Sequence, residues 1–315
     1  MSNKTERDAF WDQVYNIQKK DGNVVIVSAD MGAPALDRFR KDFPHRFINA
    51  GIAEQNAILI SSGLALTGQK VFAYAIAPFI TLRCLEQIRV NSGIMNIPIT
   101  LVGVSGGFGY VNAGPTHHST EDLAIMRAIP HITIQSVSDN NMAAFAANRA
   151  MQMKNTYYVR LDRQPFPDLY TRAEDFSRGL SVLRKGDNYI IATGNMTHLA
   201  CQAADILKQR NLNVGVIDVY EFPILENNFI EAIFDAEKLI TLEEHFYPGG
   251  LGGAVAEVLM DRQIFRPLKR IALPVEKGYC YEYGARESLQ KYYGVDLQSV
   301  VTKAEAFIAK RLVHV

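Results

Sequence analysis

The sequence has few of the features that mark secreted, membrane-bound or nucleic-acid-binding proteins. It has only three cysteines, Cys84, Cys201 and Cys280, in 315 residues, and no CxxC pair. This scarcity argues against both a disulfide framework and a zinc motif. Acidic and basic side chains number 33 each, so the formal net charge is zero, and no run of Lys and Arg exceeds two residues. Such a balance offers no electrostatic footprint for nucleic acid.

Long hydrophobic runs are also missing. No stretch reaches the roughly 18 consecutive apolar residues that a membrane-spanning helix needs. Residues 1–8 are charged and lack the apolar core of a signal peptide. We therefore expect a cytoplasmic protein with buried, reduced thiols and no membrane contact. The chain is long enough for two domains, each with its own core.

Short apolar runs alternate with longer amphipathic runs, a pattern typical of βα units around mainly parallel sheets. The fold class is therefore α/β. In the first half, strands are predicted at 24–28, 46–49, 70–74, 99–104, 132–135 and 157–161. Helices are predicted between them at 8–20, 53–66, 79–92, 120–128 and 140–152.

The pattern stops after Arg163 and resumes near Gly186, and the intervening stretch contains Pro165 and Pro167. We therefore predict a first domain over 1–164, a linker over 165–186 and a smaller α/β domain over 187–315. The second domain is expected to have strands at 189–192, 214–218, 238–241 and 270–273. Its glycine cluster at 249–253 fits neither phosphate-binding fingerprint and predicts a tight connection into a helix at 254–260.

Glu54 is the most informative single residue. It follows a predicted strand and begins a helix that is apolar nearly all round, which predicts that the helix is buried. The helix dipole favours a carboxylate in the first turn by about 0.3–1 kcal/mol. Glu54 is therefore either a structural acid at a helix end or a functional carboxylate. Its own segment leaves both interpretations open.

Four segments follow one another along the chain, and each opens or follows a predicted βα unit. The segments are Gly51-Ile52-Ala53-Glu54-Gln55-Asn56, Ala77-Pro78-Phe79 with Glu86-Gln87-Ile88-Arg89, Gly114-Pro115-Thr116-His117, and Arg160-Leu161-Asp162-Arg163-Gln164. In order and spacing they resemble the C-terminal half of transketolases, and the resemblance covers almost the whole chain. It implies a pyrimidine-binding domain followed by a smaller transketolase C-terminal domain, each a mainly parallel sheet flanked by helices.

The resemblance implies thiamine diphosphate as the cofactor. In transketolase-like enzymes the glutamate at the position of Glu54 holds the proton of the pyrimidine ring nitrogen and so activates the cofactor. Phe79 would stack on the aminopyrimidine, and Ile52 would also contact the cofactor. On the residues alone, a Phe at a helix start favours a core position. The cofactor carries the carbanion chemistry while the protein positions it.

The resemblance also implies substrate contacts. His117 would hydrogen-bond the oxygen of the transferred two-carbon unit or shuttle its protons. The Arg163 fork would bind the acceptor's phosphate; the alternative is a surface arginine paired with Asp162 or Asp168. Ser105 takes the strand-end position at which ordinary transketolases set a histidine around that phosphate.

Adjacent histidines, His117 and His118, raise the question of a metal. Neighbours in sequence do not readily converge on one ion, and no third ligand is evident. We expect no metal ligand in this chain.

The chain lacks the Gly-Asp-Gly motif with which transketolases hold Mg²⁺ and the diphosphate, and its nearest approach is Gly186-Asp187-Asn188. A diphosphate needs a cation and a cluster of donors. The resemblance therefore implies a separate N-terminal subunit that carries this domain and the Mg²⁺. We expect a heterotetramer of two copies of each chain, with the cofactor shared between unlike subunits.

A second departure lies at the acceptor end. Ordinary transketolases place an aspartate that contacts a substrate hydroxyl where this chain has Ala113, and a phosphate-binding serine where it has Gly32-Ala33-Pro34-Ala35. Losing a charge-assisted hydrogen bond is worth about 1.5–3 kcal/mol. This difference predicts an atypical acceptor.

The expected function is therefore that of the C-terminal subunit of a split transketolase-like transferase, which moves a two-carbon ketol unit (glycolaldehyde) between sugars in carbohydrate metabolism. One alternative is a subunit of a decarboxylating carboligase, such as deoxyxylulose phosphate synthase or a 2-oxo-acid dehydrogenase beta chain. Another is a non-catalytic scaffold, although Glu54, Phe79 and His117 count against it. No residue identifies the sugar.

Overall fold

A computed structural model describes residues 4–171 and 174–310. The outermost residues of the two expected domains, 1–3 and 311–315, lie outside the described residues, as do residues 172–173 of the expected linker. The fold is α/β, with two mostly parallel sheets flanked by helices, and this confirms the predicted fold class.

The first sheet has seven strands. They are β1 (Val24–Ser28), β2 (Phe47–Asn49), β3 (Lys70–Ile76), β4 (Thr100–Val104), β5 (Ile132–Ser136), β6 (Thr156–Leu161) and the short β10 (Glu221–Phe222). The spatial order is β10-β5-β6-β4-β3-β1-β2. All neighbours are parallel except β10, which is antiparallel to β5.

The second sheet has five strands. They are β7 (Leu180–Arg184), β8 (Asn188–Ala192), β9 (Val214–Val219), β11 (Lys238–Phe246) and β12 (Leu268–Leu273). The order is β12-β11-β8-β9-β7, and only β7 runs antiparallel to its neighbour.

Helices cover the faces of both sheets. They are α1 (Glu6–Asp21), α2 (Pro34–Asp42), α3 (Glu54–Leu66), α4 (Ala77–Ile80), α5 (Leu85–Ile88), α6 (Asp122–Arg127), α7 (Asn140–Ala150), α8 (Met196–Gln209), α9 (Glu226–Ala232), α10 (Leu251–Asp261), α11 (Arg286–Tyr293) and α12 (Leu297–Ala309). No helix within residues 4–171 and 174–310 combines the length and apolar character needed to cross a bilayer.

The helix predicted at 79–92 is wrong. The segment forms α4, a turn, α5 and a π-helical stretch over Arg89–Ile94. At the break, the Thr81 hydroxyl donates to the Ala77 carbonyl at 2.6 Å, and the Cys84 thiol donates to the Phe79 carbonyl at 3.2 Å. Because side chains satisfy these carbonyls, the backbone can leave the helical path there.

The expected linker contributes a strand, because β7 lies within it and pairs with β9. The two sheets are also joined by β10, which follows β9 in the chain but completes the first sheet. One continuous apolar cluster includes Ile134 of the first sheet and Leu239 of the second. The two halves therefore pack as neighbours, and the boundaries at 164 and 187 stay a prediction.

Helix α3 is buried on one face only, which corrects the prediction of a fully buried helix. Ala57, Ile58 and Ser61 face the sheet, while the side chain of Leu59 is 52% exposed and Leu66 is also exposed. The helix is apolar all round although this chain covers only one of its faces. Its outer face is an apolar surface on which nothing in the described chain packs.

Candidate active site

The predicted site residues lie at one edge of the first sheet. Glu54 follows β2, Phe79 follows β3, His117 follows β4 and Arg163 follows β6. These strands are parallel, and they are neighbours apart from β1, which separates β2 from β3. Their carboxyl ends therefore meet at one edge, which is where open α/β sheets bind ligands.

A turn of defined conformation places Glu54 at this edge. Gly51 adopts φ +75°, a left-handed conformation that suits glycine. The Asn49 side chain fixes the turn, since its Oδ1 accepts from the Gly51 N–H at 2.9 Å. Glu54 then begins α3 with its side chain only 4% exposed. A buried carboxylate needs a partner.

Arg83 is that partner. The break between α4 and α5 turns its side chain towards α3, and Nη1 donates to Glu54 Oε2 at 2.7 Å. The same guanidinium lies over the Phe79 ring, with Cζ 4.0 Å from the ring centroid. The Arg83 side chain remains 42% exposed. Glu54 and Phe79 are thus joined through one flat cation.

His117 lies on the other side of Phe79. Its ring meets the Phe79 ring edge-on, with centroids 4.9 Å apart and an interplanar angle of 68°. Nδ1 lies 3.0 Å from the Thr116 hydroxyl. Burial lowers the pKa of His117, and the nearby Arg83 cation lowers it further. The imidazole is therefore neutral near pH 7, with one nitrogen able to donate and the other able to accept.

Tyr110 and Arg163 complete the arrangement. The Tyr110 ring centroid is 5.8 Å from that of His117, and Arg163 Cζ lies 4.4 Å from the Tyr110 centroid. Six side chains thus form a continuous row along the sheet edge, which we call the Glu54–Arg163 row. Its members are Glu54, Arg83, Phe79, His117, Tyr110 and Arg163.

Arg163 is free to bind an anion. Within residues 4–171 and 174–310 it forms no ion pair, so the alternative pairing with Asp162 or Asp168 does not occur there. Asp162 instead forms a buried ion pair with Arg286 at 2.6 Å. Its other oxygen accepts from the Arg163 backbone N–H at 2.7 Å, which fixes the local chain.

Two predicted site residues lie outside the row. Ser105 directly follows β4 with φ +69° and is fully buried, and its hydroxyl has no hydrogen-bond partner in the described part of the chain. Its backbone N–H donates to the Leu161 carbonyl at 2.7 Å. Ile52 is 80% exposed, an unusual position for an apolar side chain beside a buried carboxylate.

No cluster of three or more potential metal ligands occurs in the described parts of the chain. His118 is buried against Phe108, with ring centroids 5.3 Å apart, whereas His117 contacts Phe79. The two histidines therefore contact different neighbours.

The Glu54 end of the row fits a protonated aminopyrimidine. The Arg83 guanidinium shows what the site accepts, namely a planar cation that donates N–H to a buried carboxylate and lies on an aromatic ring. A pyrimidine protonated on its ring nitrogen is likewise planar and positively charged, and it likewise donates an N–H. The sequence supplies no Gly-Asp-Gly for the diphosphate end.

Arg83 and Tyr110 were missed from the sequence. Arg83 had no reliable signal, because α4 ends at Ile80 and the place of Arg83 depends on the helix break that follows. Tyr110 had none, since its position depends on the long loop between β4 and α6.

The Glu54–Arg163 row lies at the carboxyl edge of parallel strands, and a second α/β unit follows the first along the chain. The molecule is therefore a two-domain α/β protein with a candidate ligand site at the edge of its first sheet. The family model of the transketolase pyrimidine-binding domain matches residues 3–168, and that of the transketolase C-terminal domain matches residues 180–300. The chain belongs to the transketolase family, whose members depend on thiamine diphosphate.

Relatives of similar length are named as transketolase subunits. An apulose-4-phosphate transketolase subunit of Phocaeicola vulgatus is 32% identical, covering 96% of this chain and 97% of that protein. A 6-deoxy-6-sulfo-D-fructose transketolase subunit of Clostridium sp. (strain MSTE9) is 30% identical, covering 95% and 92%. A solved structure described as a split gene transketolase, inactive beta4 tetramer, superimposes with a TM-score of 0.85 at 28% identity, covering 98% of this chain and all of that one.

Proposed function

We propose that this chain is the C-terminal subunit of a split, thiamine-diphosphate-dependent transketolase that transfers a two-carbon ketol unit between sugars. The observation that carries the proposal is the flat Arg83 cation held between the Glu54 carboxylate and the Phe79 ring. It reproduces, within the protein, the contacts that a protonated aminopyrimidine requires. The subunit-length transketolase relatives support the split organisation.

Glu54, Phe79 and His117 of the row then have distinct roles. When bound, thiamine diphosphate supplies the nucleophilic carbon that takes up and releases the two-carbon unit. Glu54 holds the proton at the pyrimidine ring nitrogen, Phe79 stacks on that ring, and the exposed Ile52 contacts the cofactor. His117, neutral near pH 7, hydrogen-bonds the substrate oxygen and moves its proton.

At the far end of the row, the Arg163 guanidinium, which forms no ion pair with the described residues, binds an acidic group of the acceptor, for which a phosphate is the natural candidate. Ser105 stays a predicted substrate contact. The atypical acceptor inferred from Ala113 is part of this proposal.

The site needs a second chain. We propose that an N-terminal subunit brings Mg²⁺ and the diphosphate-binding groups, and that two copies of each chain assemble in the cytoplasm. The apolar outer face of α3 supports such an assembly, because exposed apolar surfaces of this kind mark interaction sites. Leu59 and Leu66 are exposed on this face, and the segments before and after the helix also carry exposed apolar residues, namely Ile52, Leu82, Leu85, Ile94 and Met95.

Activity of the reconstituted pair tests this function. We expect the complex to transfer a two-carbon unit from xylulose 5-phosphate to an aldose phosphate. Glu54→Gln, which keeps the shape but cannot supply the acid, should lower the rate by about 10²-fold or more. The exposed Glu237→Gln serves as a matched control and should leave the rate unchanged. Full activity of the Glu54→Gln complex would show that the cofactor assignment is wrong.

The same preparation separates the alternatives. Consumption of pyruvate with release of CO₂, and no ketol transfer, would favour the decarboxylating carboligase. A stable complex without turnover on ketose phosphates, hydroxypyruvate or pyruvate would favour the scaffold.

A further inference from the structure

A loop of the C-terminal half lies against the loop that carries His117. Residues 274–285, which we call the tyrosine loop, connect β12 to α11. The Tyr279 hydroxyl donates to Glu121, just ahead of α6, and the Tyr279 ring packs edge-on against Phe246 at 5.6 Å. The Tyr293 hydroxyl donates to the Gly278 carbonyl at 2.7 Å. These contacts anchor the base of the loop.

Beyond these anchors, Tyr283 reaches the turn before His117. A methyl group placed on Gly114 would lie 3.6 Å from the Tyr283 hydroxyl oxygen, so the phenol lies directly beside that glycine. The Gly114 carbonyl in turn accepts from the His117 N–H at 3.0 Å. The Tyr283 side chain is nevertheless 71% exposed, which leaves most of its ring free to contact a ligand.

The turn itself offers little for recognising a sugar at this point. Ala113, Gly114 and Pro115 carry no polar side-chain atoms. A phenol supplies a donor and acceptor together with an apolar ring face, and a sugar presents both hydroxyls and C–H groups. Small-molecule sites commonly fix orientation with a few such polar groups on a mostly apolar lining.

We propose that Tyr283 is a specificity residue for the acceptor sugar, contributed to the active site by the C-terminal half of the chain. The inference rests on the proposed function, since it takes the acceptor to lie between His117 and the open end of the row. Tyr283 hydrogen-bonds an acceptor hydroxyl through its phenol and packs its ring against the sugar. Tyr283 does not touch the cofactor carbon that takes up the two-carbon unit from the donor.

The test uses the reconstituted two-chain complex with xylulose 5-phosphate as donor. Erythrose 4-phosphate serves as the sugar acceptor in one assay, with fructose 6-phosphate and glyceraldehyde 3-phosphate as the products, and ferricyanide replaces the acceptor in the other, so that donor use is measured by itself. Tyr283→Phe removes only the hydroxyl, and Tyr283→Ala removes the ring as well. Tyr281→Phe, on the same loop and similarly exposed, is the matched control.

We expect Tyr283→Phe to raise the acceptor KM about two- to tenfold, the range of one neutral hydrogen bond, with the ferricyanide rate and the donor KM unchanged. Tyr283→Ala should raise the acceptor KM further, and Tyr281→Phe should change neither the acceptor KM nor the donor KM. An unchanged acceptor KM in both Tyr283 variants contradicts the inference. An equal loss of rate in the sugar-acceptor and ferricyanide assays also contradicts it, because it would indicate that Tyr283 only supports the structure of the loop. A wild-type complex that consumes no donor with ferricyanide contradicts the proposed function itself and this inference with it.

Discussion

The Arg83 side chain occupies the position that the proposed function assigns to the cofactor. Its guanidinium is bonded to Glu54 and stacked on Phe79, so a pyrimidine that uses the same carboxylate and ring face must displace it. The Arg83 side chain is partly exposed and can move into solvent, and the protonated pyrimidine would then take its place as the partner of the buried Glu54 carboxylate. Arg83 is therefore an internal competitor of the cofactor in the unassembled chain.

Arg83→Met removes this competitor and keeps the apolar stem. We expect the reconstituted complex to bind thiamine diphosphate about three- to tenfold more tightly, because a partly exposed ion pair with a cation–π contact contributes about 1 kcal/mol. Isothermal titration calorimetry measures the affinity, and Arg178→Met, which removes an exposed ion pair with Glu231 in the C-terminal half, is the control. Weaker binding of the Arg83 variant would indicate instead that Arg83 stays in place and supports Glu54.

At the residue scale, sequence could identify the members of the row that motifs mark. Glu54, Phe79, His117 and Arg163 lie in short motifs whose order is typical of a family, and the structure brings them to one sheet edge. Arg83 and Tyr110 were missed because their places depend on a helix break and on a loop. Neither of these has a periodic pattern in the sequence.

At the scale of elements, α3 presents an apolar outer face beside the site. Leu59 and Leu66 are exposed on it, while Glu54 at its first turn is buried. A helix with apolar residues on both faces is stable in water only when both are covered. The outer face is therefore the surface on which we expect a neighbouring subunit to pack.

Leu59→Asp places a charge on this face without touching the core of the chain. We expect the variant subunit to fold normally but to lose assembly, because an unpaired charge in a buried interface costs several kcal/mol. Sedimentation velocity of the mixed chains measures assembly, and circular dichroism measures folding. Phe265→Asp, at an exposed apolar position of the C-terminal half, is the control. Normal assembly of the Leu59 variant would show that this face of α3 is not part of the subunit interface.

The longer strands are predictable from sequence, and the irregular elements are not. Buried parallel strands such as β1 consist of consecutive apolar, mostly β-branched residues, a strong local signal. The edge strand β7 has a mixed surface and falls within the predicted linker. The two-residue β10 carries no periodicity at all, and its pairing with β5 depends on tertiary packing.

On the scale of the whole molecule, one buried carboxylate ties the two halves together. Asp218 at the end of β9 accepts from Ser138 of the first half at 2.6 Å, from Tyr170 of the connecting segment at 2.8 Å and from Thr197 of α8 at 2.9 Å. Burial raises the pKa of Asp218 from its ordinary 3.8 to about 6, although these hydrogen bonds act in the opposite direction.

This shift makes stability depend on pH. Because the folded pKa lies above the unfolded one, the folded state binds the proton more tightly, and the resulting stability is lost as pH rises from about 4 through 6. Asp218→Asn cannot titrate. We expect the difference in unfolding free energy between wild type and this variant to fall by about 2 kcal/mol between pH 4.5 and 7.5.

Urea denaturation at the two pH values measures this change. The exposed Asp235→Asn serves as the control and should follow the wild type at both. If the unfolding free energies of wild type and Asp218→Asn differ by the same amount at both pH values, the proposed titration of Asp218 is wrong.

In the proposed function this molecule supplies half of an active site. The row holds a carboxylate, an aromatic ring and a neutral imidazole for the reacting end of the cofactor. The sequence holds no motif for the diphosphate end. Binding therefore requires both chains, since the diphosphate needs a cation and donors that only the partner would bring.

The most direct measurement is calorimetric titration of thiamine diphosphate with Mg²⁺ into three samples, namely this chain alone, the N-terminal subunit alone and their equimolar mixture. We predict tight, saturable binding in the mixture. A mixture made with the Glu54→Gln variant of this chain should bind with clearly weaker affinity. This chain alone should show no saturable binding. Equally tight binding by this chain alone would contradict the shared site.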